Sequence, residues 1–442
     1  MKTSIYNTII SIGGKYLIYN PYRNMCLVVA TRLMESLKDD ENTLKNTHPL
    51  FYSQLVKIGY FVEDKEDEII LLKERISRTD TNNKQYLLTI NPTVNCNFKC
   101  WYCYEKHIPK SKMNDDVMKR TKLFISNVTK KTISLESFHL GFFGGEPLLY
   151  FKDVVLPIME HYNRCCRQYN IKTYIGFTTN GYLINDTMID ELKKNNVTFF
   201  QITLDGCRYS HDATRFPSKG KGSYDKIIRN IKRLAENQFK VLIRINYTAE
   251  NIERVIEIGD DIQDILPENK KNVTINFQRV WQDRNRNEDI EKMIGEHIEI
   301  CREEFNGIGF RSTTVIHDFV RNSCYADKTN QILIHYNGDL YKCTARDFNE
   351  SNKVGYLSEN GELVLDPEKA NKRSTIRFTK SACHQCRIAP LCGGGCSQRH
   401  IEQLNRECCL LGYNEKDKDD VILDYFYNGI VLPNEIPDTS ST

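Results

Sequence analysis

The stretch Cys96-Asn-Phe-Lys-Cys100-Trp-Tyr-Cys103 places three thiols on one short loop, directly after a strand-like run at 85–90. Zinc, or an iron-sulfur cube with every iron held by protein, needs four ligands. Three thiols would hold three irons of a 4Fe-4S cluster and leave the fourth iron open to a substrate or a cofactor. The loop alone leaves two other interpretations: buried structural thiols, or a zinc knuckle with a distant fourth ligand.

Composition limits the classes of protein that this chain can belong to. Its 442 residues give room for about three domains. The 61 Lys and Arg against 58 Asp and Glu leave a net charge of +3, so nothing in the charge indicates nucleic acid or an anionic membrane as a partner. With no apolar run near the roughly 20 residues of a membrane span and no signal-peptide segment, we expect a cytoplasmic protein. There the 16 cysteines predict metal or redox work and not disulfides.

Residues 1–82 carry no ligand-like spacing, and we expect them to form a separate α+β module. The pattern predicts strands at 16–20 and 26–29 and helices around 32–38 and 49–59. Runs at 60–62 and 68–72 flank an acidic turn and are interpreted as strands of a winged-helix-like wing. The order of elements is similar to that of leader-peptide-binding domains, which bind a peptide as an added strand. An ordinary capping module stays open as the alternative.

Residues 83–306 are predicted to form the catalytic core. Apolar runs alternate with helix-like segments, as expected of parallel βα units. Helices are expected to begin after Asn114, Asn185, Ser223 and Asn287, with another near 251–265. The fold class is therefore α/β, a partial (β/α)6 TIM-like barrel. The six strands are expected at 85–90, 138–143, 172–177, 198–204, 241–246 and 273–280.

Polar motifs follow these strands where each strand ends, which is where βα barrels collect their chemistry. Gly144-Gly145-Glu146-Pro147 follows the second strand; its glycines allow close approach of a ligand, and Glu146 can accept hydrogen bonds from an ammonium group. Thr-Thr-Asn180-Gly and Thr203-Leu-Asp-Gly end the third and fourth strands. Cys207, His211 and Asp212 also fall near this edge and are interpreted as structural.

The cluster loop and these motifs, in this order, resemble the radical S-adenosylmethionine (SAM) enzymes. By that resemblance Cys96, Cys100 and Cys103 hold a 4Fe-4S cluster whose open iron binds SAM. Gly144, Gly145 and Glu146 would hold the SAM amino group; Asn180, Thr203 and Arg215 would line the SAM site; and the backbone of Tyr102 would lie near the adenine. Arg244, at the end of the fifth strand, is a rival to Arg215 for the SAM carboxylate.

Residues 307–442 hold a second concentration of cysteines. Asn337-Gly338 predicts a hairpin, and Cys383-x2-Cys386-x5-Cys392-x3-Cys396 precedes a Cys408-Cys409 pair. One zinc uses four thiolates, whereas seven occur here in regular spacing, so two metal sites are needed. The pattern resembles the SPASM extension with two auxiliary iron-sulfur clusters. By that resemblance one cluster has Cys383, Cys386, Cys392 and Cys409 (or Cys408), and the other has Cys324, Cys343 and Cys396. The fourth position of the second cluster stays undecided between an open iron, a non-cysteine ligand and Cys408.

A helix at 417–428 and a disordered tail from 433 are expected to close the chain.

The resemblance implies an enzyme that cleaves SAM reductively and removes a hydrogen atom from a residue of a ribosomally made peptide, giving a crosslink or another oxidative change. Its partners would be the precursor peptide or protein and an electron donor such as flavodoxin or ferredoxin. The alternative is an anaerobic sulfatase maturase, which carries an aspartate directly after the Cys343 position; here Thr344 follows, with Asp347 further on. A zinc-stabilised, non-catalytic binding protein is the alternative from another class.

Overall fold

The computed structural model describes residues 1–217, 220–285, 287–314, 323–404 and 407–427. These residues form two compact units. The first combines the described parts of 1–81, 316–328 and 370–442, and the second combines 82–315 and 329–369. The predicted boundaries at 82 and 306 remain a prediction.

In the first unit, a three-stranded antiparallel sheet lies at the N-terminal end of the chain, with strand order β2-β3-β4. One face of β3 buries Ile18 against helix α3, and the other buries Leu17 and Tyr19 against Ile422 and its neighbours near the C-terminus. The sheet is therefore covered on both faces. The elements are β1 (Lys2–Thr3), β2 (Thr8–Ile12), β3 (Lys15–Asn20), β4 (Met25–Ala30), α1 (Thr31–Met34), α2 (Glu41–Thr47), α3 (Pro49–Ile58), β5 (Phe61–Val62) and α4 (Glu68–Asp80).

The predicted wing strand at 68–72 is wrong, because these residues begin helix α4. The Asp67 carboxylate accepts a hydrogen bond from the backbone N–H of Ile70 at 3.1 Å and caps the helix. Leu72 is fully buried, and Ile69 and Ile76 pack against the same cluster, which is the spacing of one helix face. The other predicted partner, β5, pairs with β1 instead.

The second unit is built on an eleven-stranded sheet of order β12-β11-β10-β9-β8-β7-β6-β13-β14-β15-β16. The six predicted strands are confirmed as neighbouring parallel strands, β6 to β11. Two strands extend the parallel set: β12 beside β11, and β13 beside β6. The strands are β6 (Gln85–Ile90), β7 (Ser137–Phe142), β8 (Lys172–Thr179), β9 (Phe199–Leu204), β10 (Lys240–Tyr247), β11 (Val273–Arg279), β12 (Arg311–Thr314), β13 (Gln331–Ile334), β14 (Asp339–Tyr341), β15 (Gly355–Leu357) and β16 (Leu363–Leu365).

Helices connect the parallel strands, so the α/β class is confirmed and the carboxyl ends of β6 to β11 lie along one edge. Asn114, Asn185 and Asn287 cap their helices as predicted. The predicted helix at 251–265 is shorter, since a 3-10 turn at Ile252–Glu257 precedes α10. The helices are α5 (Asp115–Lys131), α6 (Leu156–Gln168), α7 (Asp186–Lys194), α8 (Arg208–Thr214), α9 (Tyr224–Glu236), α10 (Ile258–Ile262), α11 (Pro267–Lys270) and α12 (Glu288–Gly307).

The C-terminal part of the chain consists of short elements. The hairpin predicted around Asn337-Gly338 is confirmed as β13 and β14. The predicted final helix is confirmed as α16, whereas position 428 and the tail from 433 lie outside the described residues. The helices are α13 (Pro367–Ile376), α14 (Ala389–Cys392), α15 (Ser397–Glu402) and α16 (Glu415–Phe426). Among the described residues, no helix is both long and apolar enough to cross a membrane.

Candidate active site

The three-thiol loop follows strand β6 and is anchored by one buried ring. Phe98 is almost completely buried and meets Tyr182 edge-on, with ring centroids 5.5 Å apart. Its backbone N–H donates to Cys96 Sγ at 3.4 Å. Cys96 and Cys100 are half-buried and Cys103 is exposed. The buried Phe98 ring therefore anchors the loop, while its thiols stay half-buried or exposed.

The glycine pair after β7 fits closely against the chain segment that leads into this loop. A Cβ on Gly144, where φ is +88°, would lie 2.5 Å from the Thr93 carbonyl oxygen. A Cβ on Gly145 would lie 2.2 Å from the Asn95 carbonyl oxygen. Only glycine allows this approach. The pair thus has a packing role that the sequence did not indicate, beside its predicted role toward SAM.

Glu146 lies fully buried at the junction of strands β7 and β8. Its carboxylate accepts hydrogen bonds from Leu148 N at 2.9 Å, Thr179 Oγ1 at 2.7 Å and Asn180 N at 2.8 Å. Burial raises its pKa. Asn180 in turn donates from Nδ2 to Asn97 Oδ1 of the cluster loop at 2.8 Å. Glu146 and Asn180 therefore lie at the same edge as the thiols.

Tyr102 joins the cluster loop to the ends of β9 and β10. Its hydroxyl lies 2.8 Å from both carboxylate oxygens of Asp205 and accepts from Arg215 Nη1 at 2.8 Å and Asn246 Nδ2 at 3.1 Å. Burial raises the pKa of Asp205. Arg215 Nε is buried and has no hydrogen-bond partner among the described residues. This N–H is available to an added acceptor, such as a carboxylate.

The rival arginine lies in the same neighbourhood. Arg244 on β10 stands beside Thr203 on β9 in the parallel register. Its Nε donates to Asn246 Oδ1 at 3.1 Å. Arg215 is buried to a relative exposure of 8%, whereas Arg244 is half-buried. Both arginines and Thr203 thus lie at the predicted edge, and their roles toward SAM remain predictions.

His211 and Ser223 support this cluster, whereas the sequence indicated only a structural role for His211 and predicted Ser223 as a helix cap. His211 Nδ1 accepts from the Asp205 backbone N–H at 3.3 Å, and its Nε2 lies 3.0 Å from Ser223 Oγ. Ser223 donates its hydroxyl to the Arg215 carbonyl at 2.6 Å, so the cap of α9 comes from Asp212 instead. Burial holds the pKa of His211 well below its usual range. The neutral ring ties Asp205 to Arg215.

Glu105 lies two residues after the cluster loop and was not predicted from the sequence as a site residue. Its Oε2 atom is buried and has no hydrogen-bond partner among the described residues. Burial, with the nearby Asp347 carboxylate, raises its pKa to about 8. A single glutamate in a loop carries no signal in the sequence, because the loop around Asp347 reaches it only in the folded chain.

In the first unit, four of the predicted auxiliary ligands lie within electrostatic reach of one another. Burial raises the pKa of Cys392 to about 12, with further contributions from Cys386, Cys383 and Cys409. Burial, together with Cys386 and Cys409, raises the pKa of Cys383 to about 11. Cys409 is half-buried while Cys408 is exposed. This arrangement favours Cys409 over Cys408 as the fourth member of the set.

Asp327, whose carboxylate is buried, links the segment at Cys324 to the residue that follows Cys396. The Asp327 backbone N–H donates to the Cys324 carbonyl at 2.9 Å, and Ser397, which follows Cys396, donates its hydroxyl to Asp327 at 2.7 Å. The sequence interpretation missed Asp327. Cys343 belongs to the second unit, where Ala345 N donates to its Sγ at 3.3 Å.

The chemistry of these thiols fits iron-sulfur ligation. All 16 cysteines are free thiols. Burial raises the pKa of Cys96 to about 12 and that of Cys103 to about 11, so their thiolates need a compensating positive charge such as iron supplies. Within the described ranges, no three His, Cys, Asp or Glu side chains converge as ligands of a single metal ion.

Comparison with known proteins supports the same assignment. The "Cysteine-type anaerobic sulfatase-maturating enzyme" of Clostridium novyi (strain NT) is 24% identical over 354 residues, which cover 71% of this chain and 88% of that protein. Two solved structures share the fold. Native anSMEcpe with bound AdoMet and Cp18Cys peptide has a TM-score of 0.61 at 19% identity, over 79% of this chain and 99% of that one. Streptococcus suis SuiB bound to precursor peptide SuiA has a TM-score of 0.52 at 16% identity, over 92% and 98%.

Residues 90–262 match the model of the Radical SAM superfamily. The match spans the cluster loop, Glu146 and Arg215, so the resemblance and the prediction of an enzyme are confirmed. Such a domain implies a 4Fe-4S cluster and SAM, and the cysteines of the C-terminal region are consistent with auxiliary clusters. Residues 90–262 of this chain therefore form a Radical SAM domain.

Proposed function

We propose that this protein is a radical SAM maturase that oxidatively modifies a residue of a ribosomally made peptide. The observation that carries the proposal is the three-thiol loop, joined by hydrogen bonds to Asn180 and, through Tyr102, to Arg215. When bound, the cluster and SAM supply a one-electron cleavage of a carbon–sulfur bond, and the product removes a hydrogen atom from the substrate.

The residues of this chain would bind and orient these groups. Cys96, Cys100 and Cys103 would hold three irons. Glu146 would accept hydrogen bonds from the SAM amino group. Arg215 Nε, which lies 3.9 Å from Asp205 Oδ2 and makes no hydrogen bond among the described residues, would donate to the SAM carboxylate. Gly144, Gly145, Asn180, Thr203 and the backbone of Tyr102 would complete the SAM site.

The Cys-rich C-terminal region would hold two auxiliary clusters that accept or relay an electron. The electrostatic proximity of Cys383, Cys386, Cys392 and Cys409 supports the first. Cys324, Cys343 and Cys396 would hold the second, with the fourth ligand open. Hydrogen bonds to the sulfurs and burial would set their potentials.

Two observations favour a peptide maturase. SuiB, described with its precursor peptide SuiA, covers 92% of this chain, whereas anSMEcpe covers 79%. Thr344 follows Cys343 at the place where the sulfatase maturases carry an aspartate. We propose that residues 1–82 bind a leader segment, and that flavodoxin or ferredoxin supplies the electron.

A sulfatase maturase is the second candidate, because the matching Clostridium novyi enzyme is covered over 88% of its length. A cysteine or serine of a sulfatase peptide would then be oxidised to formylglycine. Mass spectrometry of the product distinguishes formylglycine from a crosslink or another oxidative change.

Anaerobic reconstitution tests the proposal. We expect about twelve irons per chain and 5′-deoxyadenosine release with dithionite. Cys100→Ala should lose about four irons and abolish release, while Cys207→Ala, at a buried thiol outside the ligand spacings, should keep the iron. Stoichiometric zinc with little iron would support the non-catalytic binding protein and refute the maturase.

A further inference from the structure

Both tryptophans of the chain are exposed, although tryptophan is usually well buried. Trp101, in the cluster loop, is 59% exposed, and Trp281, two residues after β11, is 51% exposed. Both lie in the second unit and follow strands whose carboxyl ends form the candidate site. Large exposed rings at one edge of a sheet need a reason beyond packing.

Trp281 belongs to an ordered group of side chains. Its ring stacks with that of Tyr104, with centroids 6.0 Å apart and planes at 22°. The Arg346 guanidinium lies 5.7 Å from the Trp281 ring centroid. We call these three side chains, together with Trp101 of the cluster loop, whose ring meets that of Tyr102 at 5.5 Å between centroids, the aromatic rim. Tryptophan, tyrosine and arginine are the residues that dominate binding energy in protein interfaces.

Hydrogen bonds hold the rim beside the cluster loop. Gln282, next to Trp281, donates from Nε2 to the Tyr102 carbonyl at 2.7 Å. Tyr104 donates its hydroxyl to the Thr344 carbonyl at 2.7 Å. The rim is therefore continuous with the loop that would hold the cluster.

A buried acceptor at the same place indicates what the rim binds. Glu105, which follows Tyr104, has its Oε2 atom buried without a hydrogen-bond partner among the described residues. An unsatisfied buried acceptor costs about 1–3 kcal/mol. An incoming chain with N–H or O–H donors would satisfy it. Hydrogen transfer also requires contact at roughly 3–3.5 Å, so the surface bordering the site belongs to the substrate.

We infer that the aromatic rim binds the substrate peptide through an aromatic side chain close to the residue that is modified. This inference rests on the proposed function and names the class of substrate. Aromatic rings pack on one another and on guanidinium planes with an extra gain beyond buried area. Acidic side chains would lack that gain.

The experiment uses the reconstituted holoenzyme and blocked glycine-serine peptides of about ten residues with one central Phe, Leu or Asp. Peptide binding is measured by the anisotropy of an attached dye. The tryptophan emission of the wild type, which arises only from the rim, is recorded in parallel. We expect the Phe peptide to bind tightest and to shift this emission.

Trp281→Ala should weaken binding of the Phe peptide about tenfold. The matched control is Tyr356→Ala, since Tyr356 is 52% exposed but lies on β15. This control should stay within about twofold of the wild type. Equal binding of the Phe and Asp peptides, or unchanged binding by Trp281→Ala, overturns the inference.

A second arm tests a protein electron donor as the occupant. SAM cleavage is driven once by flavodoxin and once by dithionite, and the ratio of the two rates is compared between wild type and Trp281→Ala. We expect the same ratio. A selective loss of the flavodoxin-driven rate would assign the rim to the donor and overturn the inference. If the wild type does not cleave SAM with dithionite, the proposed function fails. The peptide-binding result still tests whether the aromatic rim binds an aromatic side chain.

Discussion

The two cysteine-rich regions of this protein are organised by different means. The loop at Cys96–Cys103 follows a strand of an extended parallel sheet, and side chains from several strand ends hold it, among them the buried Asn180 and Asp205. The cysteines at 383–409 lie between a 3-10 turn and helices of four and six residues, too short to be stable alone. From this difference we expect that the first site is preformed by the fold and that the second depends more on its metal.

Removing iron should produce the largest difference between the two regions, in the hydrogen-exchange protection of their backbone amides. After anaerobic chelation we expect backbone amides of β6 to β11 to stay protected from hydrogen exchange. Amides at 383–409 should lose more of their protection, because the elements there are short and metal-bound thiols would add links between them. Exchange measured by mass spectrometry checks this. Equal protection of both regions in the apo protein would show that the second region also folds without metal.

Within the second region, substitution of Cys408 and of Cys409 tests which of the two adjacent thiols is the fourth ligand. Cys409→Ala should lower the iron content by up to four atoms per chain, since Cys409 lies within reach of Cys383 and Cys392. The exposed neighbour supplies the control, Cys408→Ala, which should keep the iron. Iron and sulfide analysis of both variants measures the difference, and the reverse pattern would transfer the ligand role to Cys408.

Glu146→Gln tests how far the first region is preformed. Both carboxylate oxygens of Glu146 accept hydrogen bonds from N–H or O–H donors. In the Gln variant the side-chain NH2 group replaces one of these oxygens and faces a donor instead of accepting from it. We expect a loss of about 3 kcal/mol in the free energy of unfolding, measured in urea on the apo protein. The exposed Lys84–Glu136 pair supplies the control, Glu136→Gln, with an expected loss below about 1 kcal/mol. A small effect at Glu146 would mean that the strand ends are held without it.

The free energy of unfolding should depend on pH through His335, which directly follows β13, the strand beside β6. Burial lowers the pKa of His335 from 6.5 to about 4, and Asn91 lies 3.3 Å from its Nδ1. Below pH 6.5 the unfolded chain therefore binds a proton that the folded chain does not. This contribution is complete above pH 6.5 and is lost as the pH falls toward 4.

At pH 5 the loss amounts to about 2 kcal/mol relative to pH 7.5. His335→Gln should remove this part of the pH dependence, as measured by urea unfolding at both values. An identical pH dependence in the variant would locate the effect elsewhere, for example at the buried His211.

The sequence predicted the strands of the catalytic core well because apolar runs alternated with helix-like segments and ended at polar motifs. It failed at 68–72, where Asp67 and the spacing of Ile69, Leu72 and Ile76 favour a helix. It also missed β12 and the pairing of β13 with β6, since short strands have no signal apart from their partners.

The amino-acid sequence by itself determined the chemistry of this protein. Three thiols on one loop, the glycine pair with Glu146, and seven further spaced cysteines predicted a radical SAM enzyme before any fold was seen. Only the tertiary structure decided which groups meet. Tyr102 reaches Asp205 and Arg215 because parallel strands bring their carboxyl ends to one edge. Gly144 and Gly145 are needed because another backbone segment lies against them, and contacts between distant segments leave no local pattern in the chain.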